Sequence, residues 1–294
     1  MARVGFLGFG EVASVLSRPM VEHGAQVYAY DLLLGREGGR EALERRAAPG
    51  IRFQPLPEVL RGVDYVLSTV TTQAAVAVAR DCAPYLRRGQ VYLDLNSTAP
   101  RVKLEIAAIV EPPGAHCVEG AILGAVGVAG AATRILLAGE RAGPAADALA
   151  GLGLNVAHYS RQVGQASLFK MLRSIFSKGL EALLLELLIA ARRAGLEGDL
   201  WEEAVATVSS HPFDETAANW IRTHAVACER RYHEMVQVAE TMREIGVEPV
   251  MTAATEAFFR RSLTLGLGEA FAAGPPSMGA VIEYVEERLR EPGQ

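Results

Sequence analysis

The chain has 294 residues, half of them hydrophobic, enough for one large domain or two ordinary ones. Its net charge is −5, with only three lysines among 29 basic residues, so neither nucleic acid nor an anionic membrane is expected as a partner. Cys82, Cys117 and Cys228 lie far apart without metal-ligand spacing, so no metal is expected and the thiols read as buried and free in a reducing, cytoplasmic setting.

The chain passes straight into a strand pattern, ARVGFLG, with no signal peptide. Gly8-Phe9-Gly10-Glu11-Val12-Ala13 follows, a G-x-G-x-x-A variant that opens a helix to about His23. The first glycine permits a tight turn, the second lets backbone approach a pyrophosphate, and the third position needs a small residue where helix meets strand. The helix N-terminus offers free N–H groups to phosphate. A second strand, Gln26–Tyr30, ends in Asp31, which is 21 residues after Gly10 and suits a ribose-binding carboxylate. These features predict dinucleotide binding. Asp31 and the following Leu32 favour NAD; Arg36, five residues on, keeps NADP as the second candidate.

Strand and helix patterns then alternate. Val63–Val70 reads as a buried strand leading through Thr71-Thr72 into a helix to about Leu86, and Val91–Leu95 reads as the next strand. Cys117–Glu119, Arg134–Leu137 and Leu154–His158 are shorter strand candidates. The alternation implies a parallel, doubly wound sheet whose ligands bind at the carboxyl ends of its strands. That places Gly8–Ala13, Thr69, Val70 and Thr71, the segment Asp94–Pro100, and the small-residue stretch Glu119–Gly127 at the site. In Asp94–Pro100, Ser97 and Thr98 suit a helix cap before Pro100, while Asn96 is a candidate to project its amide toward nicotinamide or substrate. Glu119–Gly127 reads as a loop that brings backbone N–H groups close to an anion.

Residues 164–191, GQASLFKMLRSIFSKGLEALLLELLIAA, predict one helix spanning roughly 40 Å. Ser167, Lys170, Arg173, Ser174, Ser177, Lys178 and Glu181 share one face; beyond Glu181 the helix is apolar almost all round and reads as buried, with a homodimer expected to cover it. Glu181 and Glu186 interrupt its apolar run, so a membrane span is not expected. From Asp199 onward the pattern is helical, with helices expected over 199–208, 214–229, 232–245, 250–265 and 277–290. Breaks are expected at Pro212, Gly246–Pro249, Gly266–Gly268 and Gly274-Pro275-Pro276. Arg230, Arg231, Tyr232 and His233 read as a polar cluster between two of these helices, of open role.

VGFLGFGEVAS, DLNSTAP, EGAILGAVG and GQASLFKMLRS stand in the order and spacing of four motifs of the β-hydroxyacid dehydrogenase superfamily, which includes 3-hydroxyisobutyrate and 6-phosphogluconate dehydrogenases. The chain resembles that superfamily over nearly its whole length. RRYHEM and AETMREIGVEP resemble its phosphogluconate dehydrogenase-like branch, whose helical C-terminal domain has no assigned function. The resemblance implies a Rossmann-like α/β doubly wound domain at 1–162, then an all-α substrate and dimerisation domain at 163–294, joined by a long interdomain helix. It implies an NAD(P)-dependent oxidoreductase acting on a small hydroxy acid or its carbonyl counterpart.

In that reading Lys170 is the general acid/base, with Ser174 and Asn96 assisting. Gly8 to Ala13, Asp31, Thr69, Val70, Thr71 and Asn96 hold the cofactor. Ser97, Gly120, Leu123, Gly124 and Lys170 meet the substrate. The chain departs from the motifs at Asn96, at Leu123-Gly124-Ala125 and at Ser174, which stand where the family has Ser, Ser-Gly-Gly and Asn. Those departures imply an altered substrate and keep two alternatives: an imine or ketone reductase, and a non-catalytic dinucleotide-binding regulator.

Overall fold

The computed structural model describes residues 1–274 and 277–290, so Pro275 and Pro276 of the expected last break lie outside the described residues. The strands are β1 (Arg3–Leu7), β2 (Gln26–Tyr30), β3 (Arg52–Phe53), β4 (Tyr65–Ser68), β5 (Val91–Asp94), β6 (His116–Leu123), β7 (Arg134–Ala138) and β8 (Val156–Ser160). The helices of the first part are α1 (Glu11–Glu22), α2 (Gly39–Arg46), α3 (Leu56–Gly62), α4 (Ala75–Cys82), α5 (Pro100–Val110), α6 (Val126–Ala129) and α7 (Ala142–Ala150). Those that follow are α8 (Gln165–Ala194), α9 (Glu197–Ser209), α10 (Phe213–Glu244), α11 (Val250–Leu263), α12 (Leu267–Ala270) and α13 (Met278–Arg290).

The chain forms two compact units, Met1–Ile175 and Phe176–Gln294, and the division falls inside α8. The first unit keeps the opening turns of α8 because Ala166 joins a small core with Ala121, Leu136 and Ala138, against which Phe169 packs.

The first unit is an eight-stranded sheet in the order β3-β2-β1-β4-β5-β6-β7-β8. Six strands are parallel, β3 through β6, because each return passes through a helix. Successive residues face opposite sides. Val4, Phe6, Leu67 and Leu93 enter one core while Leu7, Val66 and Tyr92 enter another, so both faces are covered. The expected all-parallel order fails at β7, which runs antiparallel to β6. Between them lie only α6 and a short 3₁₀ turn, too little chain to carry β7 back to the starting edge.

In the second unit α10 runs unbroken for 32 residues. The expected break at Arg230–His233 is absent: that segment contains no helix-breaking residue, and Arg230 pairs with Glu234 one turn on. Glu186 of α8 caps α11, accepting from the backbone N–H groups of Met251 (2.7 Å) and Thr252 (2.8 Å) and from the Thr252 hydroxyl (2.8 Å). The apolar half of α8, expected to be buried, is open within this chain, with Leu185 61% exposed.

Among the described residues no helix is long and apolar enough to cross a membrane. Cys82, Cys117 and Cys228 are buried free thiols, and burial pushes Cys82 up to about 12.

Candidate functional site

The strand order reverses between β1 and β4, the place where a doubly wound sheet opens a crevice at its carboxyl edge. A cavity of about 510 Å³ lies there, lined by Gly8, Gly10, Asp31, Thr69, Val70 and Thr71 among others.

Gly8 has φ +79°, and a Cβ on it would lie 2.7 Å from Val70 Cγ1 and 3.0 Å from the Thr69 carbonyl. Only glycine lets the chain turn there. A Cβ on Gly10 would meet nothing within 4 Å, so that glycine leaves space open in front of α1 rather than avoiding a clash within the chain. Ala13 is fully buried where α1 packs on the sheet core, as a small third position requires. Phe9 is also fully buried, edge-on to Phe53, and Val12 packs on the same core, so these two loop residues shape the turn from beneath. Glu11 leans toward Gly127, where any Cβ would collide with its Oε1.

Asp31 ties this loop to the end of β2. Its Oδ2 accepts from Phe9 N at 2.8 Å and its Oδ1 from Leu33 N at 2.9 Å. A carboxylate offers about four lone-pair positions, so two such bonds leave room for ribose hydroxyls. The residues present therefore fit a dinucleotide: a glycine turn with open space before a helix N-terminus, an acid at the end of β2, and a cavity between them. Thr69 donates its hydroxyl to the Gly8 carbonyl (2.7 Å), so it braces the turn.

One strand further along, β5 leads into Asp94–Pro100. Asp94 and Lys103 form an ion pair at 2.6 Å with side chains only 1% exposed. The Lys103 ammonium also donates to the carbonyls of Asn96 (2.6 Å) and Asp94 (3.1 Å). Asn96 turns inward, contrary to the amide expected to project toward nicotinamide. Its Nδ2 donates to Asp94 Oδ1 and to Ser68 Oγ (2.9 Å), and the residue is 4% exposed. The competing pull is the buried Asp94 carboxylate, which needs donors where no water reaches it. Ser97, the next residue, is left at the surface, and Thr98 is buried.

Lys170, on the second turn of α8, donates to Ser97 Oγ at 2.6 Å. Its ammonium is held below the ordinary lysine value, first by burial and then by the charges of Lys103 and Arg173. The Ser174 hydroxyl donates back to the Lys170 carbonyl (2.9 Å), which commits its proton to the helix.

Glu119 and Gly120 lie within β6, not in a loop, because β6 continues to Leu123 in its pairing with β7. A Cβ on Gly120 would collide with Leu95, so this glycine is a packing requirement rather than an anion cradle. Leu123 packs with the Ala121–Ala166 cluster, and only Gly124 begins the exposed turn, at φ +128°. Glu119 is fully buried, and its Oε1 accepts from Gly164 N (2.6 Å) and Ala166 N (2.9 Å). It thus anchors the start of the helix that carries Lys170.

Sequence reasoning missed Lys103 and this role of Glu119. The available signal for Lys103 was a lysine in a buried helix stripe with Ile106, Ala107 and Val110. Among the described residues no group of three or more His, Cys, Asp or Glu side chains is placed to hold a metal ion.

Comparison with known proteins agrees with the dinucleotide-binding reading of the first unit. Residues 3–158, just over half the chain, match the model of the NAD binding domain of 6-phosphogluconate dehydrogenase. Residues 191–262 match a domain of unknown function, DUF1932. The solved structure of MTH1747, a conserved protein of unknown function described as similar to 3-hydroxyacid dehydrogenases, is 33% identical; the match covers 91% of this chain and 97% of that one, at a TM-score of 0.61. The 2-(hydroxymethyl)glutarate dehydrogenase of Eubacterium barkeri is 23% identical, over 97% of this chain and 95% of its own. The imine reductase BcSIRED of Bacillus cereus BAG3X2 shares the fold at 18% identity, over 97% and 99% of the two chains, with a TM-score of 0.76. The chain therefore belongs to the family of the 6-phosphogluconate dehydrogenase NAD-binding domain, a family of NAD(P)-dependent oxidoreductases.

Proposed function

We propose that this protein oxidises the hydroxyl of a small hydroxy acid, or reduces the matching carbonyl, with Lys170 as general acid/base. The observation that carries this reading is the Lys170–Ser97 pair. A lysine held below its ordinary value stands at the carboxyl end of the strand next to the dinucleotide crevice. Bound NAD(P) supplies the hydride acceptor or donor. Gly8, Gly10 and Asp31 would hold it, with Ala13 packing the helix closely beneath the turn. Lys170 Nζ, when neutral, takes the proton of the substrate hydroxyl, and returns a proton to the carbonyl oxygen in the reverse direction. Ser97 orients that amine by accepting one of its hydrogens.

NAD is the proposed cofactor over NADP. Two carboxylates, Asp31 and Asp81, line the crevice with no Lys or Arg beside them among the lining residues, and they disfavour a 2′-phosphate. The Eubacterium barkeri relative, a dehydrogenase of 2-(hydroxymethyl)glutarate, supports a hydroxy acid as the substrate class. A homodimer that covers the open apolar half of α8 belongs to the same proposal, because such a stripe is costly to leave in water.

One observation favours imine reduction as a second reading. The turn at Leu123-Gly124-Ala125 offers no side-chain hydroxyl to a substrate carboxylate.

The test is cofactor-linked turnover on 3-hydroxy acids, including 2-(hydroxymethyl)glutarate, and on cyclic imines, with NAD and NADP, for wild type and Lys170→Ala. Hydroxy-acid turnover that collapses in Lys170→Ala is the expected result. Imine turnover that survives the substitution would replace the first reading with the second.

A further inference from the structure

We propose that Lys103 is a positioning residue for the Ser97–Lys170 pair: its buried ammonium clasps the turn after β5 and so sets where the Ser97 hydroxyl stands. The catalytic meaning of this clasp rests on the role proposed for Lys170; its test does not.

An ammonium has three N–H donors and no acceptor. Lys103 points them at Asp94 Oδ2 (2.6 Å), the Asn96 carbonyl (2.6 Å) and the Asp94 carbonyl (3.1 Å). All three acceptors belong to the two residues that bracket Leu95, immediately before Ser97. From the other side, the Asn96 amide ties the same turn to Asp94 and to Ser68 of β4. The turn is therefore held through backbone carbonyls and through side chains at once. Asn96, a departure from the family motif, acts here as a strut of the clasp.

A buried ion pair is weak evidence for stability, because desolvation of both charges opposes their attraction, and apolar side chains of similar volume often do as well. Val102, Ile106 and Ala107 already supply apolar packing on this helix. What an apolar side chain cannot supply is a donor to the carbonyls of Asp94 and Asn96. The charges that act on Lys170 are Lys103 from α5 and Arg173 on its own helix, and both lower it.

The chain's three lysines make a direct measurement simple. Lys103 is buried, whereas Lys178 is exposed on the same helix as Lys170 and serves as an internal reference. Trace acetylation with acetic anhydride, read by mass spectrometry as the Lys170-to-Lys178 ratio, reports the free amine of Lys170. Ser97→Ala removes an acceptor that favours the charged form, so in the wild-type background it should raise the ratio by about threefold or more. In Lys103→Met/Asp94→Asn, which exchanges two buried charges for two neutral groups, adding Ser97→Ala should change the ratio by less than about 1.5-fold.

An equal effect of Ser97→Ala in both backgrounds would overturn the clasp. So would the absence of any effect in wild type. If the double variant does not fold cooperatively, Lys103→Arg serves in its place: it keeps the charge, but its larger planar fork cannot converge on the three acceptors that the compact ammonium meets, and the same loss of coupling is expected. Retained hydroxy-acid turnover in Lys170→Ala would refute the proposed function while leaving this labelling cycle intact.

Discussion

Lys170 Nζ and Ser97 Oγ meet at 2.6 Å although 73 positions separate them in the chain. One sits on a helix anchored by Glu119 and the other on a turn anchored by Lys103. The contact joins the two segments that the proposed chemistry needs.

Removal of the Lys170 amine should lower kcat by about 10²- to 10⁴-fold, the usual share of a general acid/base. Dinucleotide affinity of Lys170→Ala, read by fluorescence titration, should stay near wild type. In the oxidation direction the amine must be neutral, so kcat/KM should rise with pH through the pKa of Lys170. That limb should lie below the ordinary lysine range, in keeping with burial and the nearby charges of Lys103 and Arg173. A profile unchanged in Lys170→Ala would assign the limb to another group.

The two glycines of the first turn should separate folding from binding. Gly8→Ala places a Cβ against Val70 and Thr69 at a positive φ, and should cost about 1–3 kcal/mol in urea melts. Gly10→Ala meets nothing within 4 Å, so its stability should fall within about 0.5 kcal/mol of wild type. Its dinucleotide affinity should nonetheless drop, because the new methyl occupies space left open before α1. Normal NAD binding by Gly10→Ala would place the pyrophosphate elsewhere.

Cofactor choice should follow Asp31 and its exposed neighbour Leu32. Asp31→Ser/Leu32→Arg removes the acid and adds a guanidinium at the end of β2. The ratio of kcat/KM for NAD over NADP should fall by at least about tenfold, equivalent to about 1.4 kcal/mol. An unchanged ratio would mean that neither residue reads the ribose.

Glu186 should couple the second unit's stability to pH. Burial opposes its charge, but the N–H groups of Met251 and Thr252 and the Thr252 hydroxyl outweigh it and hold the carboxylate below its ordinary value. A depressed folded pKa means that the stabilisation is complete above the unfolded value of about 4.3 and is lost as pH falls through the folded one. At pH 7, Glu186→Ala should cost about 0.5–2 kcal/mol, the worth of a helix N-cap whose charge is partly screened by solvent. The difference from wild type should shrink in melts below pH 4. A gap that persists at low pH would mean that packing, not charge, accounts for the loss.

The sequence by itself determined what depends on local spacing. Gly8, Gly10 and Ala13 between a strand and a helix, with Asp31 at the end of the next strand, announce a crevice because each position answers a backbone requirement that neighbours along the chain define. The α8 pattern likewise put Lys170 on a polar helix face near the start of the helix. The tertiary structure alone decided what depends on burial. Asn96 turned inward because Asp94 is sealed from water and takes its amide. Gly120 proved to be in a strand because β7 came back antiparallel to pair with it. Arg230–His233 is the contrary case, helical for a local reason, since nothing in the sequence there breaks α10. Glu119 read as part of a loop at the site and Glu186 as a break in an apolar run; their partners, like those of Lys103, come from distant parts of the chain, so only the fold brings carbonyls and N–H groups to them.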